Sequence, residues 1–115
     1  MLAAGSDWPV STPDPLAAIH IGVNRTPDPA TTPALGGVQQ RLTLADALTA
    51  YTWGSAFVNG LDQETGRIEA GYLADLVVID RNLFEFPTEE IDRAGVRLTV
   101  SGGRVVYDRD QQDSD

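Results

Sequence analysis

Residues Gly66–Asp80 read GRIEAGYLADLVVID, and the rest of the chain is organised around this stretch. Gly66 and Gly71 predict turns. The run Leu76–Ile79 is short, apolar and flanked by polar residues, which predicts a strand buried on both faces. We expect a shorter strand just before it, with Ile68 pointing inward.

The chain after this stretch predicts more sheet, about four strands in the second half. Apolar and polar residues alternate over Val96–Val100, as they do in a half-buried strand. Gly102 and Gly103 predict a two-residue hairpin turn, and Arg104–Tyr107 is the returning strand. Thr88–Ile91 predicts one helical turn, and we expect an acidic, disordered tail at the end of the chain.

The residues that precede Gly66–Asp80 predict a short helix, which follows an extended segment at the start of the chain. Asp14 and Pro15 suit the N-cap and the first position of a helix that ends near Asn24. One face of this helix would carry Leu16, Ile19, His20 and Val23. His20 is expected to be a packed or surface residue and not a ligand.

A second helix is predicted from Thr43, its cap, to a left-handed end at Asn59–Gly60. Gly54 lowers the stability of its middle by about 1 kcal/mol relative to alanine, so we expect close packing there. Between the two helices, residues 26–40 hold three prolines and two glycines. This segment predicts a loop, either functional or disordered.

Asp7 is the candidate catalytic residue. Residues 2–4 are apolar and predict the end of a strand, which Gly5-Ser6-Asp7-Trp8-Pro9 terminates. In parallel α/β folds, catalytic groups collect at such strand ends. Alternatively, Asp7 caps the turn through its own backbone.

Composition excludes several classes of function. The chain has 115 residues, a formal net charge of -9, eight basic residues that are all arginine, and no cysteine. Nucleic-acid binding needs clustered basic residues, so no nucleic-acid partner is expected. No apolar run is long enough to span a membrane. The expected location is the cytoplasm.

The predicted elements divide near Gly60 into unlike parts. Residues 1–60 hold a strand end, two helices and the loop, residues 61–108 hold the strands, and 109–115 is the tail. The two main parts predict no common core, and the sheet is left with an exposed first edge. The apolar face of Ile68, Val77 and Ile79 would then be uncovered. The chain therefore predicts an α+β fragment of a larger fold.

Two stretches of the second half resemble the C-terminal end of the amidohydrolase superfamily. They are Gly66-x-Ile68-x-x-Gly71-x-x-Ala74-Asp75-Leu76-Val77-x-x-Asp80 and the hairpin Val100-x-Gly102-Gly103-Arg104-Val105-Val106-Tyr107. The first half is similar to the branch that includes N-substituted formamide deformylases, on the residues Gly5-Ser6-Asp7-Trp8-Pro9-Val10, Asp14-Pro15-Leu16, Asn24-Arg25, Leu42-Thr43-Leu44-Ala45-Asp46-Ala47-Leu48 and Ala50-Tyr51-Thr52. The resemblance covers residues 2–108. It departs from the branch at Trp53-Gly54-Ser55, which affects the packing of the second helix.

The resemblance implies a metal-dependent hydrolase of non-peptide carbon–nitrogen bonds. Members combine a (β/α)8 TIM-like barrel with a composite β-sandwich built from both chain ends. It places residues 2–7 at the end of the last barrel strand and Gly66–Tyr107 in the sandwich. Asp7 then matches an aspartate that binds the metal or accepts a proton from metal-bound water. Trp8 beside it is a candidate substrate contact.

The resemblance also implies that most metal ligands of the enzyme lie outside these 115 residues. The family's metal-binding histidines and carboxylated lysine are not available in a chain with one histidine and no lysine. The divalent metal, expected to be zinc, and an amide-type small-molecule substrate therefore belong to the intact enzyme. The 115 residues alone are expected to bind no cofactor and to be inactive. Met1 would be an introduced or misassigned start, or the start of a decayed gene.

Two other functions stay open at the level of sequence. The chain could be a stand-alone module that forms homo-oligomers through its exposed sheet edge. It could also be a small α+β domain that binds a sugar or another ligand through Trp8, Trp53 and the 26–40 loop, although buried core is the commoner use of tryptophan.

Overall fold

The computed structural model describes residues 1–112. It has helices and one three-stranded antiparallel sheet, which confirms the predicted α+β class. The helical elements are α1 (Pro15–Asn24), α2 (Leu44–Thr49), a π-helical turn (Ala50–Gly54), α3 (Ser55–Val58), α4 (Arg109–Gln112) and 3-10 helices at Val38–Gln40 and Thr88–Arg93. The strands are β1 (Leu76–Ile79), β2 (Val96–Ser101) and β3 (Arg104–Asp108).

The first helix, α1, forms as predicted. The Asp14 carboxylate accepts a hydrogen bond from the Leu16 N–H at 2.9 Å, and Pro15 occupies the first helical position. The chain leaves the helix at Arg25, whose φ of 61° is left-handed. The predicted inward face is buried and consists of Leu16, Ile19, His20 and Val23.

The second helical stretch runs through α2, the π-helical turn and α3 without a break. The Thr43 hydroxyl accepts from the Asp46 N–H at 3.1 Å, which confirms the N-cap. At the other end, Gly60 has a φ of 70° and donates to Phe57 O, while Leu61 donates to Ala56 O. This pair of bonds is the expected left-handed helix end. The π-helical turn lies in the middle of this stretch.

The sheet has the order β1-β2-β3, so three strands form where about four were predicted. The missing one is the short strand around Ile68. That segment contains turns and no strand, and the Ile68 side chain is 92% exposed instead of pointing inward. The hairpin between β2 and β3 is as expected, because Gly102 and Gly103 both have positive φ values that suit a two-residue turn.

The prediction that β1 is buried on both faces was wrong. Val77 and Val78 are 54% and 46% exposed. In the described chain β1 has one neighbour, β2, and is an edge strand. A strand gains burial on both faces only when other layers cover the sheet, and residues 1–112 supply too few of them. The predicted exposed first edge is confirmed, whereas Ile79 packs partly against the core.

The two parts of the chain share a core, contrary to expectation. Ile91 and Ala94, from the second part, are buried against Leu16, Ile19 and Val23 of α1. Leu44, Ala47 and Leu83 complete this cluster. The 3-10 helix Thr88–Arg93 makes this core possible, because it places Ile91 against α1. The sequence predicted this segment only as one helical turn. The core that results is small.

The two ends of the chain also differ from prediction. Residues 2–4 form no strand, because the described chain offers them no partner strand and they lie instead along the second helical stretch. The tail begins with α4, which is held by ion pairs from Arg109 to Asp80 at 3.0 Å and from Arg97 to Asp110 at 2.9 Å. Residues 113–115 of the tail lie outside the described part. No helix within residues 1–112 is both long and apolar enough to cross a membrane.

Candidate active site

The first residues of the chain are hydrogen-bonded to the π-helical turn and to the start of α3. The Ala4 N–H donates to Ala50 O at 3.0 Å, and the Ser55 hydroxyl donates to Ala4 O at 2.7 Å. Gly54 is buried under the same segment. A β-carbon at Gly54 would lie 2.0 Å from the Leu2 carbonyl oxygen, which confirms the close packing predicted there. Both backbone groups of Ala4 are therefore satisfied by the helix.

Asp7 lies three residues beyond this attachment, in an exposed turn. Its φ is 54°, a left-handed value that is uncommon for residues other than glycine. The turn closes through the Val10 N–H, which donates to Asp7 O at 2.9 Å, and the Trp8 N–H, which donates to the Ser6 hydroxyl at 3.1 Å. The Ser11 hydroxyl donates to Ser6 O. Ser6 rather than the Asp7 side chain thus organises the turn.

The side chains of Asp7 and Trp8 are both open to solvent. The Asp7 carboxylate is exposed and accepts no hydrogen bond from residues 1–112. Trp8, which is joined to Pro9 by a cis peptide bond, is 66% exposed. The Asp7 side chain makes no capping bond, but the turn closes on the Asp7 backbone carbonyl, as the alternative of a turn residue expects. The arrangement presents an anionic oxygen and an aromatic surface on adjacent residues.

The described residues do not make a metal site by themselves. No group of three or more histidine, aspartate or glutamate side chains within residues 1–112 could hold an ion. A zinc site takes three or four protein ligands, and Asp7 would be one. This part of the chain therefore does not fit a complete metal centre.

His20 is a packed residue, as predicted. It is 2% exposed, and its Nε2 lies 3.2 Å from Pro27 O, so this nitrogen carries the proton. Its Nδ1 lies 3.6 Å from the Asp92 carboxylate. The buried Asn24 amide donates to His20 O and to Thr88 O, the latter at 2.8 Å. These contacts join α1 to the 3-10 helix that carries Ile91.

Two aspartates that the sequence did not mark as candidates, Asp75 and Asp80, have structural roles. The Asp75 carboxylate accepts from the Gly102 N–H and the Thr65 hydroxyl, both at 2.8 Å, and so ties the β2–β3 hairpin turn to the start of β1. The Asp80 carboxylate accepts from the Gly95 N–H and from Arg109, both at 3.0 Å. Their positions directly before and after an apolar strand are the signal that could have identified them.

These hydrogen bonds change the acidity of both aspartates. The Gly95 N–H, followed by Arg109 and Arg81, lowers the pKa of Asp80 to about 2. The Gly102 N–H, followed by the Thr65 hydroxyl, lowers the pKa of Asp75. Each bond favours the ionised carboxylate.

We expect the folded chain to lose stability in acid through these groups. Since the pKa of Asp80 in the fold lies below its unfolded value of about 3.9, its contribution is complete above that pH and is lost as the pH falls towards 2. Urea unfolding at several pH values between 5 and 2 measures this loss. Asp80→Asn should make the pH dependence shallower. Glu85→Gln, which removes an exposed charge five positions along the chain, is the control, and an equal effect of both changes would contradict the prediction.

An open groove of about 610 Å³ lies between the second helical stretch and β1. Tyr51, Ala56, Ile68, Leu76 and Val77 form much of its apolar lining. At its rim, the Arg67 guanidinium lies 4.1 Å from the centre of the Trp53 ring. Trp53 is thus engaged with the chain itself, whereas the groove exposes apolar surface of both halves.

Comparison with known proteins identifies the family. The model of the amidohydrolase family matches residues 1–107. Protein LONG AFTER FAR-RED 3 of Arabidopsis thaliana is 36% identical over 93% of this chain and 18% of its own length. The N-substituted formamide deformylase of Arthrobacter pascens is 36% identical over 61% of this chain and 13% of its own length.

A solved structure is also similar. The amidohydrolase from Thermotoga maritima matches with a TM-score of 0.51 and 28% identity, over 62% of this chain and 17% of its own. The chain thus spans less than a quarter of the length of these relatives. Because the family model covers nearly all of the described residues, the chain belongs to the amidohydrolase family.

Proposed function

We propose that this chain is the C-terminal part of a metal-dependent amidohydrolase in which Asp7 belongs to the active site. The observation that carries the proposal is the Asp7 carboxylate, which is exposed and without a protein partner in residues 1–112, on a left-handed residue. Unusual backbone angles of this kind gather at functional sites. An exposed carboxylate without a protein partner can bind a cation or accept a proton.

The proposed reaction is hydrolysis of a non-peptide carbon–nitrogen bond of the amide or formamide type. Family membership supports the reaction class, and the similarity to an N-substituted formamide deformylase supports the substrate class. Trp8 would contact the substrate next to Asp7. The cytoplasmic location expected from the sequence remains part of this proposal.

The proposed organisation follows the resemblance found in the sequence. Residues 1–60 would belong to a (β/α)8 barrel, and residues 61–108 to a composite β-sandwich. The exposed groove and the uncovered faces of Val77 and Ile68 support this organisation, because apolar surface of this extent is usually covered. The metal, which we propose is zinc, would be held mainly by residues outside this chain.

We expect the chain alone to show no metal-dependent turnover, because its described part lacks a set of metal ligands. Hydrolysis of N-substituted formamides should be measured with added zinc for the chain and for the full-length protein that contains it. Activity in the longer protein that is lost with a chelator, and none in the chain, is the expected result. Measurable zinc-dependent turnover by the purified chain would contradict this part of the proposal.

The size of the native product tests the same proposal without an assay of activity. An antibody raised against Gly66–Asp80 should detect a product several times longer than 115 residues in the source cells. A product of only this length would remove the catalytic interpretation for this chain.

The second candidate is a stand-alone module that forms homo-oligomers through the edge of β1. The exposed Val77 and Val78 on this edge strand favour it, since an uncovered apolar edge is prone to pairing. Light scattering of the purified chain distinguishes the two. A defined dimer that Val78→Lys dissociates would support the module, and a monomer would exclude it.

A further inference from the structure

We propose that Gly54 and Ser55 are positioning residues that hold the backbone carrying Asp7. This inference rests on the proposed function of Asp7. Both residues lie where the π-helical turn meets α3, and both contact the first four residues of the chain. Single π-helical turns are frequent at functional sites.

Gly54 allows the backbone of the segment to approach the helix closely. A β-carbon at this position would be 2.0 Å from Leu2 O and 3.2 Å from the α-carbon of Ala3. Both neighbours are backbone atoms, so a side chain at Gly54 would have to displace the segment. Gly22 in α1 provides the contrast, because a β-carbon there would meet only the end of the Leu42 side chain, at 3.5 Å.

Ser55 binds the segment of residues 2–4 through a hydrogen bond to Ala4. Its hydroxyl lies 2.7 Å from Ala4 O and 3.0 Å from Ala50 O, and its single hydrogen can serve one acceptor at a time. Ala50 O already accepts from the Ala4 N–H at 3.0 Å. The shorter bond from Ser55 to Ala4 O therefore completes a two-point attachment of one residue.

This attachment restricts where Asp7 can lie. Three residues of extended chain span at most about 11 Å, so fixing Ala4 limits how far the Asp7 backbone can move. Active-site groups are sensitive to displacements of about 1 Å, which can change rates about a hundredfold. Loss of the attachment should thus disturb the placement of Asp7 without changing its chemistry.

Hydrogen exchange in the chain tests the attachment directly. Ser55→Ala and Gly54→Ala should each raise exchange of the Ala4 amide about tenfold, because local opening exposes its hydrogen bond. Ser55→Thr keeps the hydroxyl and should restore protection. Thr52→Ala removes a hydroxyl that bonds only within the helix, to Leu48 O at 2.8 Å, and serves with Gly22→Ala as the control. Unchanged exchange at Ala4 in both test variants would overturn the inference.

Kinetics in the full-length protein test the consequence. Ser55→Ala should lower kcat about tenfold with KM changed less than twofold, and Ser55→Thr should recover kcat. If Ser55→Ala loosens the segment and leaves kcat intact while Asp7→Asn removes activity, the positioning role is wrong. If Asp7→Asn itself leaves activity intact, the proposed function is wrong, and the exchange result still decides whether Gly54 and Ser55 hold the segment.

Discussion

Replacing Ile91 by alanine is expected to lower the free energy of unfolding by about 2–5 kcal/mol. Ile91 is 1% exposed and lies where α1, Leu44 and Ala94 meet. Its truncation removes apolar contacts and leaves a cavity between the two parts of the chain. Domains of this size are stable by about 5–15 kcal/mol, so this single change should lower the urea midpoint by a large fraction. Urea unfolding followed by circular dichroism measures the effect.

Ile68→Ala is the matched control for that experiment. It removes the same atoms from a side chain that is 92% exposed, so its effect should be within about 0.5 kcal/mol. Similar losses for both variants would contradict the burial described for Ile91. A large loss for Ile68 alone would show instead that the groove beside β1 is filled in solution.

Replacing Asp7 by asparagine in the full-length protein is expected to lower kcat about 10²- to 10⁴-fold, the range for removing a residue that transfers a proton. Asparagine keeps the size of the side chain and tolerates the left-handed backbone, but it cannot accept a proton at neutral pH. The chain should therefore fold unchanged. Steady-state kinetics with an N-substituted formamide measure the loss, and circular dichroism verifies the fold.

Asp14→Asn is the matched control for Asp7, because it makes the same chemical change seven residues along the chain. Asp14 caps α1, and asparagine is as good an N-cap as aspartate, so stability should be kept. Activity should also be unchanged. Full activity of the Asp7→Asn protein would remove Asp7 from the active site, and equal losses in both variants would point to net charge as the cause.

The stretch Gly66–Asp80 has a mainly structural use in this chain. Asp75 holds the hairpin turn at Gly102, and Asp80 holds Gly95 and the last helix through Arg109. Gly66 is needed for a different reason. Its φ is 91°, and a β-carbon there would lie 2.8 Å from that of Ala56. The motif thus docks the sheet onto the second helical stretch, whereas the proposed chemistry lies at the other end of the sequence.

Local features were predictable from the residues themselves. The caps at Asp14 and Thr43, the left-handed end at Gly60 and the hairpin at Gly102–Gly103 each follow from side chains and backbone within a few positions. The buried face of α1, including His20, followed from helical periodicity. These interactions are complete within one element, so they do not depend on what surrounds it.

Burial and pairing between distant segments were not predictable in this way. The sequence pattern predicted two buried faces for β1, an inward Ile68 and a strand at residues 2–4, because apolar runs indicate partners without saying whether the chain supplies them. The common core around Ile91 depends on a contact between residues about seventy positions apart, between the 3-10 helix and α1. The candidate site likewise has one part that was predictable locally and one part that was not. Asp7 stood out from the residues around it, whereas its attachment through Gly54 and Ser55 exists only because the fold brings residues 2–4 against the π-helical turn.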